Sequence, residues 1–320
     1  MYRIFGEEAT LNNILTLNSS INWCEADNIH SEYISEFFNT ITGLALCITA
    51  IINFYENKKS GHTRLYFSNC VLFIVGIGTM LFHGTLYYLF QLLDELPMLL
   101  IAIDFYNIFI QLKIFKRSFT TRFYNINTNL QNIFDVSSLN FYHISVIIVS
   151  SYFITPKLQI VFFQGFLTCV ICTLCFIMYI VNNNLNNLFY NKLNKLKTNH
   201  FDYTDEEKGH DFCTSSLSIF YRKKRSFNTI SFLRKINNVK LETNHTIYKP
   251  YFTLKYKLRS FNKIGIYIFI FSLLIWNIEN MYCSDIQFLQ LHAWWHISTS
   301  IGMYYLNNIM KTLIELDKIV

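Results

Sequence analysis

Residues 65–90 read LYFSNCVLFIVGIGTMLFHGTLYYLF, a run with no Asp, Glu, Lys or Arg. A stretch this apolar and this long is a helix that belongs in lipid, because a crossing needs about 20 mostly apolar residues. Similar runs occur at about 37–55, 96–115, 139–154, 158–181, 262–280 and 286–310. The reading is an all-α, polytopic membrane protein with seven transmembrane helices. The run at 37–55 is the most polar, interrupted by Asn39, Thr40, Thr42, Thr49 and Asn53. Composition agrees: the 320 residues are 52% hydrophobic, 18% aromatic and 15% charged, with ten Gly and three Pro. That excludes a water-soluble surface, a turn-rich sandwich and a Gly-rich dinucleotide domain. The net charge of +6 sits in clusters between apolar runs, which reads as membrane orientation rather than nucleic-acid binding.

Those clusters alternate. Lys58, Lys59 and Arg64 follow the first run, Lys113, Lys116, Arg117 and Arg122 the third, and Lys192, Lys195, Lys197 and Arg222 to Arg225 the fifth. Lys311 and Lys318 follow the seventh. The other side holds Arg3 and Lys157 with Glu25, Asp27, Glu36, Asp94, Glu95 and Asp285. Retention of basic residues in the cytosol then places the N-terminus in the lumen or outside and the C-terminus in the cytosol. The polar start has no apolar core for a cleavable signal peptide. The expected organisation is an outer segment 1–36, helices one to five over 37–181, an Asn- and Lys-rich cytosolic insertion over 182–261 with the composition of a disordered segment, helices six and seven over 262–310, and a tail 311–320. His200, His210 and Cys213 in the insertion match no ligand spacing.

Ionisable groups inside spans cost about 2.5–3.5 kcal/mol each at the centre, so each needs a reason. Direction puts His83, Asp94, Glu95, His292 and His296 at one outer level. His292 and His296 share one helical face a turn apart, a spacing that two core histidines would also show. His83 arriving at the same level from another span favours a metal, and three protein ligands with an open position favour zinc. Thr79, one turn from His83, suits either a hydroxyl donor beside the site or a packing threonine bonded to the carbonyl four residues back. Asn22, Glu25, Asp27 and Glu36 around Trp23 offer oxygen ligands for calcium, though by spacing alone a solvated acidic loop fits better. Cys24 and Cys283 both fall on the outer side, where a disulfide can form. Cys169, Cys172 and Cys175 read as small packing residues.

Several strings then carry a resemblance: Trp23-Cys24-Glu25, Tyr33-Ile-Ser-Glu-Phe-Phe-Asn-Thr40, Phe82-His83, Gln91-Leu-Leu-Asp-Glu-Leu-Pro-Met98, Trp276-Asn277-Ile278 and His292-Ala-Trp-Trp-His296. Over roughly 20–181 and 262–310 the sequence resembles the alkaline ceramidases, seven-helix zinc amidases that split ceramide into a sphingoid base and a fatty acid. The resemblance implies zinc on His83, His292 and His296, with Asp94 as the base acting on water there. It also implies calcium near Asn22, the Trp23 carbonyl, Glu25, Asp27 and Glu36, and a Cys24 to Cys283 bridge. Two departures stand out. Thr79 takes the place of the family's usual Ser, and Asn22 and Asp27 exchange the family's Asp and Asn, which leaves the carboxylate count unchanged. Two other readings stay open: a related lipid hydrolase acting on glycosylphosphatidylinositol anchors, and a seven-helix receptor or scaffold with structural zinc.

Overall fold

The computed structural model describes residues 17–112, 114, short pieces between 170 and 189, and 245–319. The expected spans at 139–154 and most of 158–181, with the insertion up to residue 244, lie outside the described residues. So do His200, His210, Cys213, Cys169 and Cys172. The described residues form five α-helices with defined bounds: α1 (Phe37–Ser60), α2 (Tyr66–Thr85), α3 (Tyr88–Gln111), α4 (His245–Ile286) and α5 (Leu291–Ile319), with short 3-10 turns at Thr63–Leu65 and Gln287–Leu289. There is no strand among the described residues beyond an isolated bridge of Asn18 with Tyr87. By length and composition three helical stretches can cross a membrane, Phe37–Ser60, Thr63–Thr85 and Pro250–Leu289, which marks a membrane protein. The expected third and seventh spans are helices too, but carry more charged groups, Asp94, Glu95 and Asp104 in α3 and Lys311, Glu315, Asp317 and Lys318 in α5.

α1 shows why the first run looked weak. Its buried face carries Asn39, Thr49, Asn53 and Asn57, while Ile41, Leu44, Ile48, Ile51 and Ile52 are exposed. In lipid the apolar stripe faces outward and the polar stripe inward, the reverse of a helix in a water-soluble protein. Gly61 ends α1 at φ 74°, donating its amide to the Asn57 and Lys58 carbonyls.

The second run does not continue to Phe90. Leu86 takes the left-handed region at φ 54°, and α3 begins two residues later, well before the expected residue 96. Pro97 lies inside α3 and has no N–H for the carbonyl of Leu93 four residues back. That carbonyl points at Gly78 of α2, where a Cβ would stand 2.5 Å from the Leu93 oxygen and 2.7 Å from the Asp94 nitrogen. Only glycine lets the two backbones come so close. Gly76 does the same against α1, its absent Cβ 2.8 Å from the Cys47 nitrogen.

α4 starts at His245, before the expected 262, so the last part of the expected insertion is helical. Helix formation needs no apolar content once packing supplies a buried face, and Tyr251 and Leu258 are both fully buried. α5 likewise runs on to Ile319, through the expected tail.

α1 and α5 are joined by a ladder of side-chain hydrogen bonds. Thr42 meets His296 at 3.0 Å, Thr49 meets Ser300 at 2.7 Å, and Asn57 donates to Asn307 at 2.8 Å. Just past α1, His62 meets Glu315 at 2.9 Å. The sequence separation across these rungs stays between 250 and 254, so the two helices run parallel. One end of the pair holds the histidines and the other holds Lys58, Lys59 and Arg64; these are the histidine end and the basic end below.

Candidate metal centre

His83 sits in the last turn of α2, and His292 and His296 in the first turns of α5; all three are buried. One nitrogen from each falls within 4.8 Å of the others. Ring centroids are 5.1 Å apart for His83 and His292, 5.0 Å for His83 and His296, and 4.6 Å for His292 and His296. The Nε2 atoms of His83 and His296 are buried with no protein partner. A buried imidazole nitrogen left this way is costly unless something binds it, so the donor set fits a metal that takes imidazole.

Each ring is held from behind. Nδ1 of His83 is hydrogen-bonded to Glu36 Oε2, and Nδ1 of His296 to the Thr42 hydroxyl at 3.0 Å. Nδ1 of His292 lies 3.4 Å from Glu279 Oε2, in ion-pair range without hydrogen-bond alignment. Such partners fix ring orientation and tautomer in metal sites. Trp23 stacks on His292 with centroids 3.9 Å apart, and Trp295 lies 5.2 Å from the same ring.

Asp94 is buried in α3, within electrostatic reach of His83, and accepts a hydrogen bond from the Thr79 hydroxyl. Thr79 Oγ1 is also 2.9 Å from the Val75 carbonyl, so the back-bonded packing geometry and the contact with Asp94 coexist. A hydroxyl has one hydrogen, which these two acceptors share. Glu95 turns elsewhere, accepting from Gln91 at 3.1 Å.

The segment before α1 folds over these rings. Both oxygens of Glu25 accept helix amides, Phe38 at 2.7 Å and Asn39 at 2.8 Å, which caps α1. Burial pushes the Glu25 carboxyl above its usual range, against those two amides, which favour its charge. Glu36 takes the Trp23 amide at 3.1 Å on one oxygen and Asn39 at 3.1 Å on the other, besides His83. Asn22 donates to Asp27 at 3.2 Å on the exposed rim. The oxygen-rich set suits calcium in donor type, but its buried carboxylates are engaged by protein groups. A disulfide joins Cys24 to Cys283, with Cα atoms 5.4 Å apart, and so anchors the segment to the end of α4 beside Glu279.

Glu279, Thr42 and the stacked Trp23 indole are absent from the expected site. Glu279 was findable, being a carboxylate inside an apolar run. The Thr42 and indole contacts arise from packing between distant segments, so neither residue's partner could be read from its neighbours in the sequence.

The sequence profile of the Ceramidase family matches residues 16–318. The chain belongs to the ceramidase family. Among similar proteins, alkaline ceramidase YPC1 of Saccharomyces cerevisiae is 43% identical over 82 residues, covering 25% of this chain and 26% of that protein. Mouse alkaline ceramidase 1 is 33% identical over 112 residues, 33% of this chain and 40% of that protein. Mouse alkaline ceramidase 3 is 22% identical over 299 residues, 89% of this chain and 80% of that protein. The matches to the first two span less than half of those relatives' length.

Proposed function

We propose that this ceramidase-family chain hydrolyses ceramide to a sphingoid base and a free fatty acid within the membrane, at a zinc centre held by His83, His292 and His296. The observation that carries the reading is three buried imidazoles converging beside a buried carboxylate, with the Nε2 atoms of His83 and His296 unpartnered. Zinc, when bound there, supplies a Lewis acid that polarises the amide carbonyl and acidifies water.

The protein's own groups do the rest. Asp94 takes the proton from the attacking water and returns it to the departing amine. Thr79 holds Asp94 in place while that carboxylate is charged. Once Asp94 is protonated it can donate to Thr79, which frees the threonine's hydrogen for the developing oxyanion. Glu36, Thr42 and Glu279 keep the three rings aimed at one point. Trp23 and Trp295 line His292 and keep bulk water from that side.

The calcium assignment to Asn22, Trp23, Glu25, Asp27 and Glu36 is a second part of the proposal. Binding there would exchange the internal bonds of Glu25 and Glu36 for ion contacts, and a calcium-dependent rise in melting temperature checks it. We also place the chain as a seven-span protein of the endoplasmic reticulum or Golgi, N-terminus lumenal and C-terminus cytosolic. The parallel first and last helices support an odd number of crossings, since each enters from the same side.

The deciding experiment incubates purified protein with defined ceramides, with and without a chelator, and weighs the products. Sphingoid base and fatty acid formed only with metal are expected. Metal-loaded, folded protein that releases neither product would reject the reading.

A further inference from the structure

Below the histidines, the face shared by α1 and α5 is lined with neutral polar groups where a helix pair in lipid would ordinarily be apolar. On α1 the stripe is Thr42, Thr49, Asn53 and Asn57, at steps of seven and four residues that keep one helical face. On α5 it is His296, Ser300 and Asn307. Ser300 also donates to the Ala45 carbonyl at 2.8 Å, which fills the level between the first two rungs. Asn69 of α2 closes the third side, its amide 3.5 Å from Asn307 Oδ1.

The ladder is incomplete over two adjacent levels. Asn53 is 1% exposed, and neither its Oδ1 nor its Nδ2 has a protein partner. One turn further, Asn57 Oδ1 and Asn307 Nδ2 are also buried and unpartnered. Rotating an amide exchanges its oxygen and nitrogen, but both atoms of Asn53 remain orphaned either way, so the result does not depend on that assignment. Buried polar atoms in a native interior find partners, and solvent is the partner when protein is not.

The donor and acceptor balance says what the partner is. Two of the four atoms are amide donors and two are acceptors, and the carboxylate nearest these levels, Glu56, is half-exposed and engages Tyr304 of α5. A metal cation would meet two N–H groups pointing at it, whereas water donates and accepts equally. We infer that the α1–α5 seam is a buried water site, part of a hydrated file running from the basic end of the bundle up to His296. At the basic end it is closed by His62 and Glu315, and Glu315 keeps 32% of its side chain exposed, so the file meets bulk solvent there. Hydrolysis consumes one water per amide bond, and a centre capped by Trp23 and the disulfide-anchored segment needs a supply route other than the cap. That the water serves hydrolysis rests on the proposed function; that it occupies the seam does not.

The test begins with a structure of the full chain in nanodiscs at a resolution that shows ordered solvent, collected in sodium and again in choline buffer. Density within hydrogen-bond distance of the Asn53 and Asn307 amides in both buffers is expected. A dry, closed contact there overturns the water site, and so does density that vanishes without sodium. The second arm is kinetic, with metal content and melting temperature measured alongside. Asn53→Leu should lower kcat on ceramide on the order of tenfold with KM and bound metal unchanged, and Asn53→Ser should recover most of it. Full turnover in a folded Asn53→Leu overturns the supply role. If the wild type hydrolyses no ceramide, the functional reading falls while the solvent density still decides the seam.

Discussion

The two ends of the α1–α5 pair are built by the same device and differ in what the device leaves over. At the histidine end, Thr42 holds one nitrogen of His296 and the other is left unpartnered, facing His83 and His292. Toward the basic end, Asn57 and Asn307 hold each other, and the leftover groups are neutral amides. Ionisable leftovers attract a charged species, and neutral ones attract water. On the function and the water site proposed above, one helix pair provides a reactive pole and a wet pole, and residue type separates them.

The comparison breaks first at the reactive pole. Asp94→Asn is expected to cut turnover about 100- to 10,000-fold while metal content, read by elemental analysis, stays at wild-type level. His83→Ala should abolish turnover and lose the metal together. If Asp94→Asn retained full rate, the base would have to be another group. Next comes the anchor: Cys24→Ser or Cys283→Ser should cost about 2–5 kcal/mol in denaturant unfolding and release Trp23 from His292, seen as a change in tryptophan fluorescence. Gly78→Ala should cost about 1–3 kcal/mol, because its methyl meets the Leu93 carbonyl and moves Asp94 away from Thr79, so kcat should fall with it. The mildest test falls on the wet pole. Thr49→Val removes the bond to Ser300 and should cost about 1 kcal/mol by thermal melting, with metal content unchanged. A metal loss in that variant would mean the two poles are one unit.

How much of this was legible follows from where each signal lives. Burying an ionisable or amide group in lipid is costly, so His83, Asp94, His292 and His296 stood out in their runs, and so did the polar stripe of α1. Helix ends were harder. The break between α2 and α3 falls at Leu86, with neither Gly nor Pro there to mark it, and α4 extends back into residues too polar to look like a span. Partners set by tertiary packing were invisible: Trp23 reaches His292 because Cys283, Glu36 and the first turn of α1, all distant in sequence, hold its segment down. Thr42 looked like a flaw in a weak span, whereas in the fold it orients His296.

The parallel pairing of α1 with α5 has a consequence for biosynthesis. α1 leaves the ribosome early, yet the groups that satisfy Thr42, Thr49 and Asn57 are not translated until about 250 residues later. Until then the nascent chain carries a polar stripe without its mate, a costly state for groups placed in lipid. Neither the three-histidine cluster nor the α1–α5 seam can assemble before α5 docks, so premature termination upstream leaves both incomplete.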